Sequence, residues 1–190
     1  MTFDPKTHAY TNTNGTRIPS VTEIIREVIN PPQWAEEWHL RRGRANHACY
    51  AMIADGVQFK CDPQSDPYVN GCRLFFRDFE PYVMACECVM IGKQYAGTPD
   101  LIALIKGALT IIDYKNSPCY ADDIQLAAYS ILYKEHTGVP IKQLLRVVIN
   151  GDGRYKASEM VRGVELRRSQ ARWAAVLAVY KMKKEAGAIK

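Results

Sequence analysis

The sequence predicts an α/β fold in which a mixed central β-sheet is flanked by helices. Three observations lead to this fold class. Helix end signals dominate residues 18–79, short runs rich in isoleucine, valine and leucine follow over residues 86–114, and helix and strand patterns alternate from residue 122 onward. A length of 190 residues suits one domain, so residues 1–190 are expected to form a single unit.

The first two helices are predicted from a capping motif and a proline pair. Ser20 lies three residues before Glu23, which is typical of a capping box, and a short helix is expected from there to about Ile29. Pro31-Pro32 should end this helix. A long helix is then predicted over about residues 32–55.

Three further helices follow from the same kind of signal. Asp66-Pro67 is expected to supply the N-cap and the first-turn proline of a helix that runs through about Phe79. Asp122–His136 is amphipathic and should end at Gly138. The last helix is predicted over about residues 165–187 and is strongly basic.

The strands are predicted from short apolar runs between these helices. Three of them should lie close together in the sequence, at Glu87–Ile91, Thr98–Ile105 and Ala108–Tyr114. Leu144–Ile149 is apolar almost throughout, as expected of a buried strand, and a further strand is predicted around Tyr155–Val161. Helices, then a hairpin, then alternating helix and strand indicate a mixed sheet.

Charge and composition exclude some classes of protein. No apolar run reaches the ~18 residues of a membrane helix, and Met1–Pro5 lacks the basic start and apolar core of a signal peptide. We therefore expect a cytoplasmic protein with no membrane partner. The net charge is +5, and Arg162–Lys190 holds eight basic residues against two acidic ones. Such a segment indicates either a polyanion partner or a solvated amphipathic helix.

The second and third predicted strands bring two acidic residues together. A two-residue turn at Lys106-Gly107 makes them a hairpin. In that register Asp100 lies opposite Asp113, with Cβ atoms ~5 Å apart, and Lys115 follows two residues beyond Asp113 on the same face. Opposed carboxylates repel each other, and their apolar flanks give no reason for them.

A divalent cation would resolve this repulsion. Oxygen ligands at that separation suit Mg²⁺ or Mn²⁺. A lysine ammonium beside them would stabilise charge on water or phosphate during phosphate-ester hydrolysis. The same spacing also suits a simple charge cluster in which Lys115 neutralises both acids, and the spacing alone leaves both interpretations open.

Two short segments of this hairpin resemble a known family signature. Thr98-Pro99-Asp100, followed after twelve residues by Asp113-Tyr114-Lys115, is similar to the signature of the PD-(D/E)XK nucleases. The apolar residues Ile111-Ile112, just before the second segment, also resemble that family. Asp113 stands where many relatives have glutamate, which the signature allows.

Three further segments resemble the RecB-like exonuclease branch of this superfamily. Gln125 and Tyr129 form a Gln-x-x-x-Tyr motif on one helix face. Gly43–His47 matches the Gly-x-x-x-His motif of that branch, and Ile18–Thr22 looks like the start of phage and bacterial members. The matches span residues 18–129 in the expected order.

The resemblance implies a restriction-endonuclease-like core with a catalytic hairpin, and a nuclease that uses Mg²⁺ or Mn²⁺. Asp100, Asp113 and Lys115 would then be the catalytic residues. Both aspartates would bind the metal, with the backbone carbonyl of Tyr114 as a further ligand. Some relatives carry an iron–sulfur cluster on late cysteines, but this chain has no cysteine after Cys119, so no such cluster is expected.

The resemblance also assigns expectations to residues around this centre. His47 would be an additional metal ligand or a phosphate contact, and Glu87 would join the acidic cluster. Gln125 and Tyr129 would position the DNA backbone or the active-site side chains. Three arginines near the first motif are expected either to bind DNA or to form a solvated basic face: Arg41, Arg42 and Arg44.

The function expected from these residues is that of a metal-dependent DNA exonuclease. It would hydrolyse linear or single-stranded DNA in recombination, repair or phage DNA metabolism, with a helicase, a recombinase or a single-strand-binding protein as candidate partners. The alternatives are a structure- or sequence-specific endonuclease, a non-cutting DNA-binding module with the same fold, and an unrelated small-molecule enzyme. Non-cutting modules usually lose an acid or the lysine, and this chain keeps Asp100, Asp113 and Lys115.

Overall fold

The computed structural model describes residues 2–4, 7, 9–30 and 37–189. The predicted helix break at Pro31-Pro32 and the predicted start of the second helix lie outside the described residues, as does Lys190. Within the described ranges the elements are β1 (Thr2–Asp4), β2 (Ala9–Thr11), β3 (Arg17–Ile18), α1 (Val21–Ile29), α2 (Glu37–Ala54), α3 (Asp66–Phe79), β4 (Tyr82–Cys86), β5 (Met90–Ile91), β6 (Ala96–Gly97), β7 (Leu101–Ile105), β8 (Ala108–Lys115), α4 (Asp122–Thr137), β9 (Gln143–Ile149), β10 (Tyr155–Ala157), β11 (Val161–Arg162) and α5 (Gly163–Glu185).

A mixed sheet lies at the centre of the fold. Its strand order is β10-β9-β8-β7-β4, and β11 pairs with the other end of β9. The β8–β9 pair is parallel, whereas β7 pairs antiparallel with both β4 and β8. The parallel pair requires a crossover connection, which α4 supplies. The predicted fold class, a mixed sheet flanked by helices, is confirmed.

Both faces of this sheet are covered, which explains why its central strands are apolar almost throughout. Successive residues of β8 point to opposite faces, so Ile111 packs with α1, α4 and α5 while Ile112 packs with α2 and α3. Trp173 of α5 is fully buried in the first of these clusters, with its ring against Tyr95. None of the helices in the described ranges is long and apolar enough to cross a membrane.

The helix ends follow the predicted capping signals with one correction. Ser20 Oγ accepts the backbone N–H of Glu23 at 3.0 Å, whereas the Glu23 carboxylate accepts from Arg17 instead of completing a capping box. The N-cap of α3 is Ser65 rather than the predicted Asp66, because Asp66 already lies in the first helical turn and accepts from the Cys61 thiol.

The predicted strand at Glu87–Ile91 is correct only over its last two residues. The strand that pairs with β7 is Tyr82–Cys86, and Glu87 follows it with a left-handed φ of 46°. Because β4 is an edge strand with exposed and half-buried side chains, its apolar signal in the sequence is weak. Met90–Ile91 instead pairs with β6 in a separate small sheet. Likewise, the strand predicted around residues 155–161 is two short strands, β10 and β11.

The predicted hairpin register is confirmed. Leu101 pairs with Ile112 and Ile102 with Ile111, so the next positions outward are Asp100 and Asp113. Lys106 and Gly107 both have positive φ, 49° and 75°, as a tight hairpin turn of the favoured twist requires. β7 begins at Leu101 rather than at the predicted Thr98, which leaves Asp100 just outside the ladder at the end of the hairpin.

Candidate active site

The two aspartates of the hairpin are buried at the same end of the sheet. Asp100 is 8% exposed and Asp113 3% exposed. Asp100 Oδ2 accepts the backbone N–H of Tyr114 at 2.6 Å, and its Oδ1 lies 3.0 Å from His47 Nδ1. Burial by itself raises the pKa of Asp100, but the charge and hydrogen bond of His47, with Lys115 and the Tyr114 N–H, hold it below its usual value. Asp100 is therefore held as a carboxylate.

The pKa of Asp113 is shifted in the opposite direction. Its Oδ2 lies 2.7 Å from Lys115 Nζ, and its Oδ1 accepts from Gln125 Nε2 at 3.3 Å. Burial and the negative charge of Asp100 both raise the pKa of Asp113. Together they outweigh the lowering by Lys115, and the pKa is about 6. One carboxylate is thus stabilised as an anion and the other is not, as expected for two acids that face each other.

Lys115 is held by a short chain of hydrogen bonds. Its ammonium donates to Gln125 Oε1 at 3.0 Å, and Gln125 Nε2 donates to Tyr129 Oη at 2.9 Å as well as to Asp113. The Gln125 amide therefore has a single orientation, because its oxygen accepts from Lys115 and its NH₂ group donates to Tyr129 and Asp113. Burial lowers the pKa of Lys115, but Asp113 and Asp100 raise it by more, so the lysine stays charged.

His47 and Glu87 complete an acidic cluster beside the hairpin. Potential ligand atoms of His47, Glu87 and Asp100 all lie within 4.8 Å of one another. Burial lowers the pKa of His47, but Asp100 in particular raises it to about 9, while burial and the charge of Asp100 raise the pKa of Glu87 to about 7. The cluster thus attracts positive charge, and a set of carboxylates with one imidazole is a donor set suited to a divalent cation.

Glu87 enters the cluster through left-handed backbone. Glu87 is not a glycine, yet it adopts φ 46°, while its N–H donates to the Asp100 carbonyl at 3.0 Å. Left-handed backbone at a residue other than glycine costs about 1–3 kcal/mol. Here the turn brings the carboxylate of Glu87 to Asp100, although Glu87 itself lies outside any strand.

The structure brings seven of the predicted site residues into this one cluster: His47, Glu87, Asp100, Asp113, Lys115, Gln125 and Tyr129. Tyr114 contributes its backbone N–H to Asp100, while its side chain is buried on the other face of the sheet. The predicted metal contact of its carbonyl stays a prediction.

The three arginines of α2 differ from one another. The Arg42 guanidinium lies over the rings of Trp38 and Tyr68, 4.6 and 5.3 Å from their centroids, so it packs α2 against α3. Arg41 and Arg44 are exposed on α2. The predicted contacts of all three with DNA stay predictions.

Several residues next to the cluster were not identified from the sequence. Tyr10, which is 1% exposed, is hydrogen-bonded through its hydroxyl to Thr98 Oγ1 at 2.8 Å, two residues before Asp100. Arg146 occupies the position on β9 that pairs with Asp113 on β8. A lone charged residue inside the apolar run of β9 is a signal that sequence reasoning could have used for Arg146, whereas Tyr10 lies too far away in the chain to be connected with Thr98.

Gly97 is also required for the arrangement of the cluster. A Cβ atom at this position would overlap the ring of Tyr129 and would lie 3.3 Å from Val21. Gly97→Ala should therefore displace Tyr129, loosen its bond to Gln125, and cost about 1–3 kcal/mol of stability, as overpacked cores do. We expect a lower melting temperature and reduced activity, measured by thermal unfolding and by the cleavage assay described below.

Gly43→Ala is a matched control for stability. A Cβ there would meet nothing within 4 Å, and Gly43 lies inside α2, so this change should stabilise the protein by about 0.5–1 kcal/mol. Equal melting temperatures and equal activities for Gly97→Ala and the unchanged protein would show that Gly97 does not support Tyr129.

Comparison with known proteins gives similar structures of low identity. One is a crystal structure of a protein from Eubacterium rectale to which an exonuclease function has been attributed; it is 10% identical, with 88% of this chain and 76% of that chain covered and a TM-score of 0.49. Another is an alkaline exonuclease from Laribacter hongkongensis, 13% identical, with 86% and 90% covered and a TM-score of 0.35. No family model and no curated protein matches the sequence. At these identities and TM-scores neither likeness assigns a family or an activity, so the function has to be inferred from the chain's own residues.

Proposed function

We propose that this protein is a metal-dependent DNA nuclease, and specifically an exonuclease that acts on linear or single-stranded DNA. The observation that carries the proposal is the hydrogen-bonded set of Asp113, Lys115 and Gln125 directly beside the Asp100–His47 pair. Paired carboxylates next to a buried charged lysine do not favour folding by themselves, because removing these charges from water is costly. They are a suitable choice for binding a cation and a phosphate.

The residues present fit a divalent cation. Asp100, Glu87 and His47 offer ligand atoms within 4.8 Å of one another. Asp113 and the Tyr114 carbonyl would complete the set, and so oxygen-rich a set favours Mg²⁺ or Mn²⁺. When bound, the cation would supply Lewis acidity and would neutralise charge at the phosphodiester. No iron–sulfur cluster is part of the proposal.

The side chains of the chain itself supply orientation and charge. The Lys115 ammonium, fixed by Asp113 and Gln125, is available to stabilise the negative charge that develops on the phosphate oxygens. Tyr129 fixes the Gln125 amide, so that Lys115 needs no reorganisation when the substrate arrives. His47 fixes the orientation of Asp100.

Exonuclease rather than endonuclease activity is proposed from the motifs. Gly43–His47 and Gln125 with Tyr129 resemble the RecB-like branch, and His47, Gln125 and Tyr129 all reach the cluster. The net charge of +5 and the basic α5 suit a DNA partner. Such an enzyme would act in recombination, repair or phage DNA metabolism, alongside a helicase, a recombinase or a single-strand-binding protein.

The proposal is tested with end-labelled single-stranded and double-stranded linear DNA and a closed circle, each incubated with Mg²⁺, Mn²⁺ or EDTA. We expect loss of the linear substrates with metal, none with EDTA, and an intact circle. A nicked or linearised circle would indicate an endonuclease. Salt-sensitive DNA binding without any cutting would indicate a non-cutting DNA-binding module.

Metal binding gives a second prediction that does not depend on activity. Asp100→Asn should weaken Mn²⁺ binding by more than about tenfold, since loss of even an outer-shell partner of a metal ligand costs about 10–100-fold. The measurement is calorimetric titration of the DNA-free protein with Mn²⁺. Asp152→Asn, in the exposed turn between β9 and β10, is the matched control and should bind as the unchanged protein does. Equal Mn²⁺ affinity for Asp100→Asn and the control would exclude Asp100 as a ligand.

A further inference from the structure

Arg146 lies on the same face of the sheet as the catalytic hairpin residues. In the parallel β8–β9 ladder it is the partner of Asp113, and paired positions present their side chains on one face. Leu144, two residues earlier, packs with the cluster around α1, α4 and α5, which identifies the face. Neighbouring strands are about 4.8 Å apart. The backbone of Arg146 therefore lies one strand spacing from that of Asp113, on the side of β8 opposite to β7 and Asp100.

A buried carboxylate holds the guanidinium of Arg146. Asp122 Oδ2 accepts from Arg146 Nη1 at 3.4 Å, and the two side chains are 4% and 23% exposed. The same Asp122 oxygen also accepts the backbone N–H of Cys119 at 2.7 Å, which fixes the carboxylate at the start of α4. The backbone of Arg146 is equally fixed, since its N–H donates to Ser158 Oγ and its carbonyl accepts the N–H of Ser158.

The guanidinium keeps donors for a further partner. Its single contact with Asp122 uses one nitrogen of the fork, whereas arginine offers five N–H donors. Within the described part of the chain, no Arg146 nitrogen is both buried and without a hydrogen-bond partner, and the side chain is 23% exposed, so the nitrogens that Asp122 does not bind are open to solvent. A salt bridge serving only to tie β9 to α4 would not require this position next to Asp113.

We infer that Arg146 forms a second phosphate subsite, which binds the phosphodiester adjacent to the one that is cut. This inference rests on the proposed nuclease function and deepens it. Lys115 on β8 and Arg146 on β9 are two fixed cations on neighbouring strands of one face, and the Arg146 guanidinium can bind a phosphate through two N–H groups at once. The substrate class is therefore a polynucleotide strand with at least one phosphodiester beyond the scissile linkage.

The test uses short DNA strands that each carry one neutral methylphosphonate linkage, moved stepwise along the strand, with kcat/KM measured for the unchanged protein and for Arg146→Gln. With the unchanged protein, a neutral linkage next to the scissile position should lower kcat/KM about tenfold, as loss of one hydrogen-bonded charge contact does. Arg146→Gln should show the same loss on normal DNA, mainly in KM, and no additional loss at that linkage. Its salt dependence should also be weaker by about one phosphate contact.

Two controls keep the outcome decisive. Arg154→Gln removes a charge from the exposed β9–β10 turn and should respond to every linkage as the unchanged protein does. Arg146→Gln leaves the buried Asp122 carboxylate without its cation. The double variant Arg146→Gln/Asp122→Asn removes both charges and should lose the response in the same way if the single variant does not fold.

The two failures are distinguishable. Cleavage by the unchanged protein with an identical methylphosphonate profile in the Arg146 variants would overturn the subsite alone. Absence of cleavage by the unchanged protein on every strand would overturn the proposed function and the subsite with it.

Discussion

Lys115→Ala should lower the rate of DNA cleavage by at least about a hundredfold, the cost of losing one charge-stabilising donor in an active site. The lysine is not a metal ligand, so the variant should still bind Mn²⁺. Loss of its positive charge should even favour the cation slightly, because Lys115 lies 2.7 Å from a carboxylate oxygen of Asp113. The measurements are single-turnover cleavage of linear DNA and calorimetric titration with Mn²⁺.

Lys156→Ala, on the exposed side of β10, is the matched control for the loss of one lysine. The melting temperature gives a further check, because Lys115→Ala leaves the buried Asp113 carboxylate without the lysine ammonium. The variant should therefore have a lower melting temperature in EDTA than in Mn²⁺. Cleavage by Lys115→Ala at the rate of the control variant would remove this lysine from the mechanism.

Asp113→Asn should abolish cleavage and yet stabilise the metal-free protein. Burial raises the pKa of Asp113 to about 6 despite Lys115, whereas an unfolded aspartate has a pKa of about 3.9. Between about pH 4 and about pH 6 the folded protein therefore binds a proton that the unfolded chain has lost, so the free energy of unfolding falls across that range and stays at the lower value above about pH 6. Asparagine removes both the charge and its repulsion with Asp100, while Lys115 keeps its bond to Gln125 and the favourable charge of Asp100.

The expected result in EDTA is a melting temperature a few degrees above that of the unchanged protein at about pH 8, with the difference shrinking as the pH falls towards about 4. The same variant should show no cleavage in Mg²⁺ or Mn²⁺. Asp123→Asn, one residue beyond Asp122 on α4, is the control for loss of an acid in that region. A sharp fall in the melting temperature of Asp113→Asn would contradict the picture of two opposed carboxylates.

The parts of this fold that local chemistry determines were predictable from the sequence. The turn at Lys106-Gly107 determines the hairpin register, and that register places Asp100 opposite Asp113. Ser20 and Gly138 likewise identified helix ends, because a cap or a left-handed residue acts over a few positions. The fold class follows from the order of these elements.

The parts that depend on contacts between distant segments were not predictable in the same way. Glu87 reaches the site from a left-handed position after an edge strand, so the periodicity that suggested a strand there was misleading. Arg146 comes to Asp113 only through the parallel β8–β9 pairing, whose register no turn determines. The requirement for Gly97 arises from the ring of Tyr129, thirty-two residues further along the chain.

Metal-switched cleavage in a single sample is the most direct test of the central claim that this cluster cuts DNA with a divalent cation. Labelled linear DNA is mixed with the full chain in EDTA, excess Mn²⁺ is added, then excess EDTA, then Mn²⁺ again, and released nucleotides are counted throughout. We expect release to begin with the first metal addition, stop with the chelator and resume with the second addition. Release that continues unchanged in EDTA, or no release in any step while the DNA stays bound, would contradict the claim.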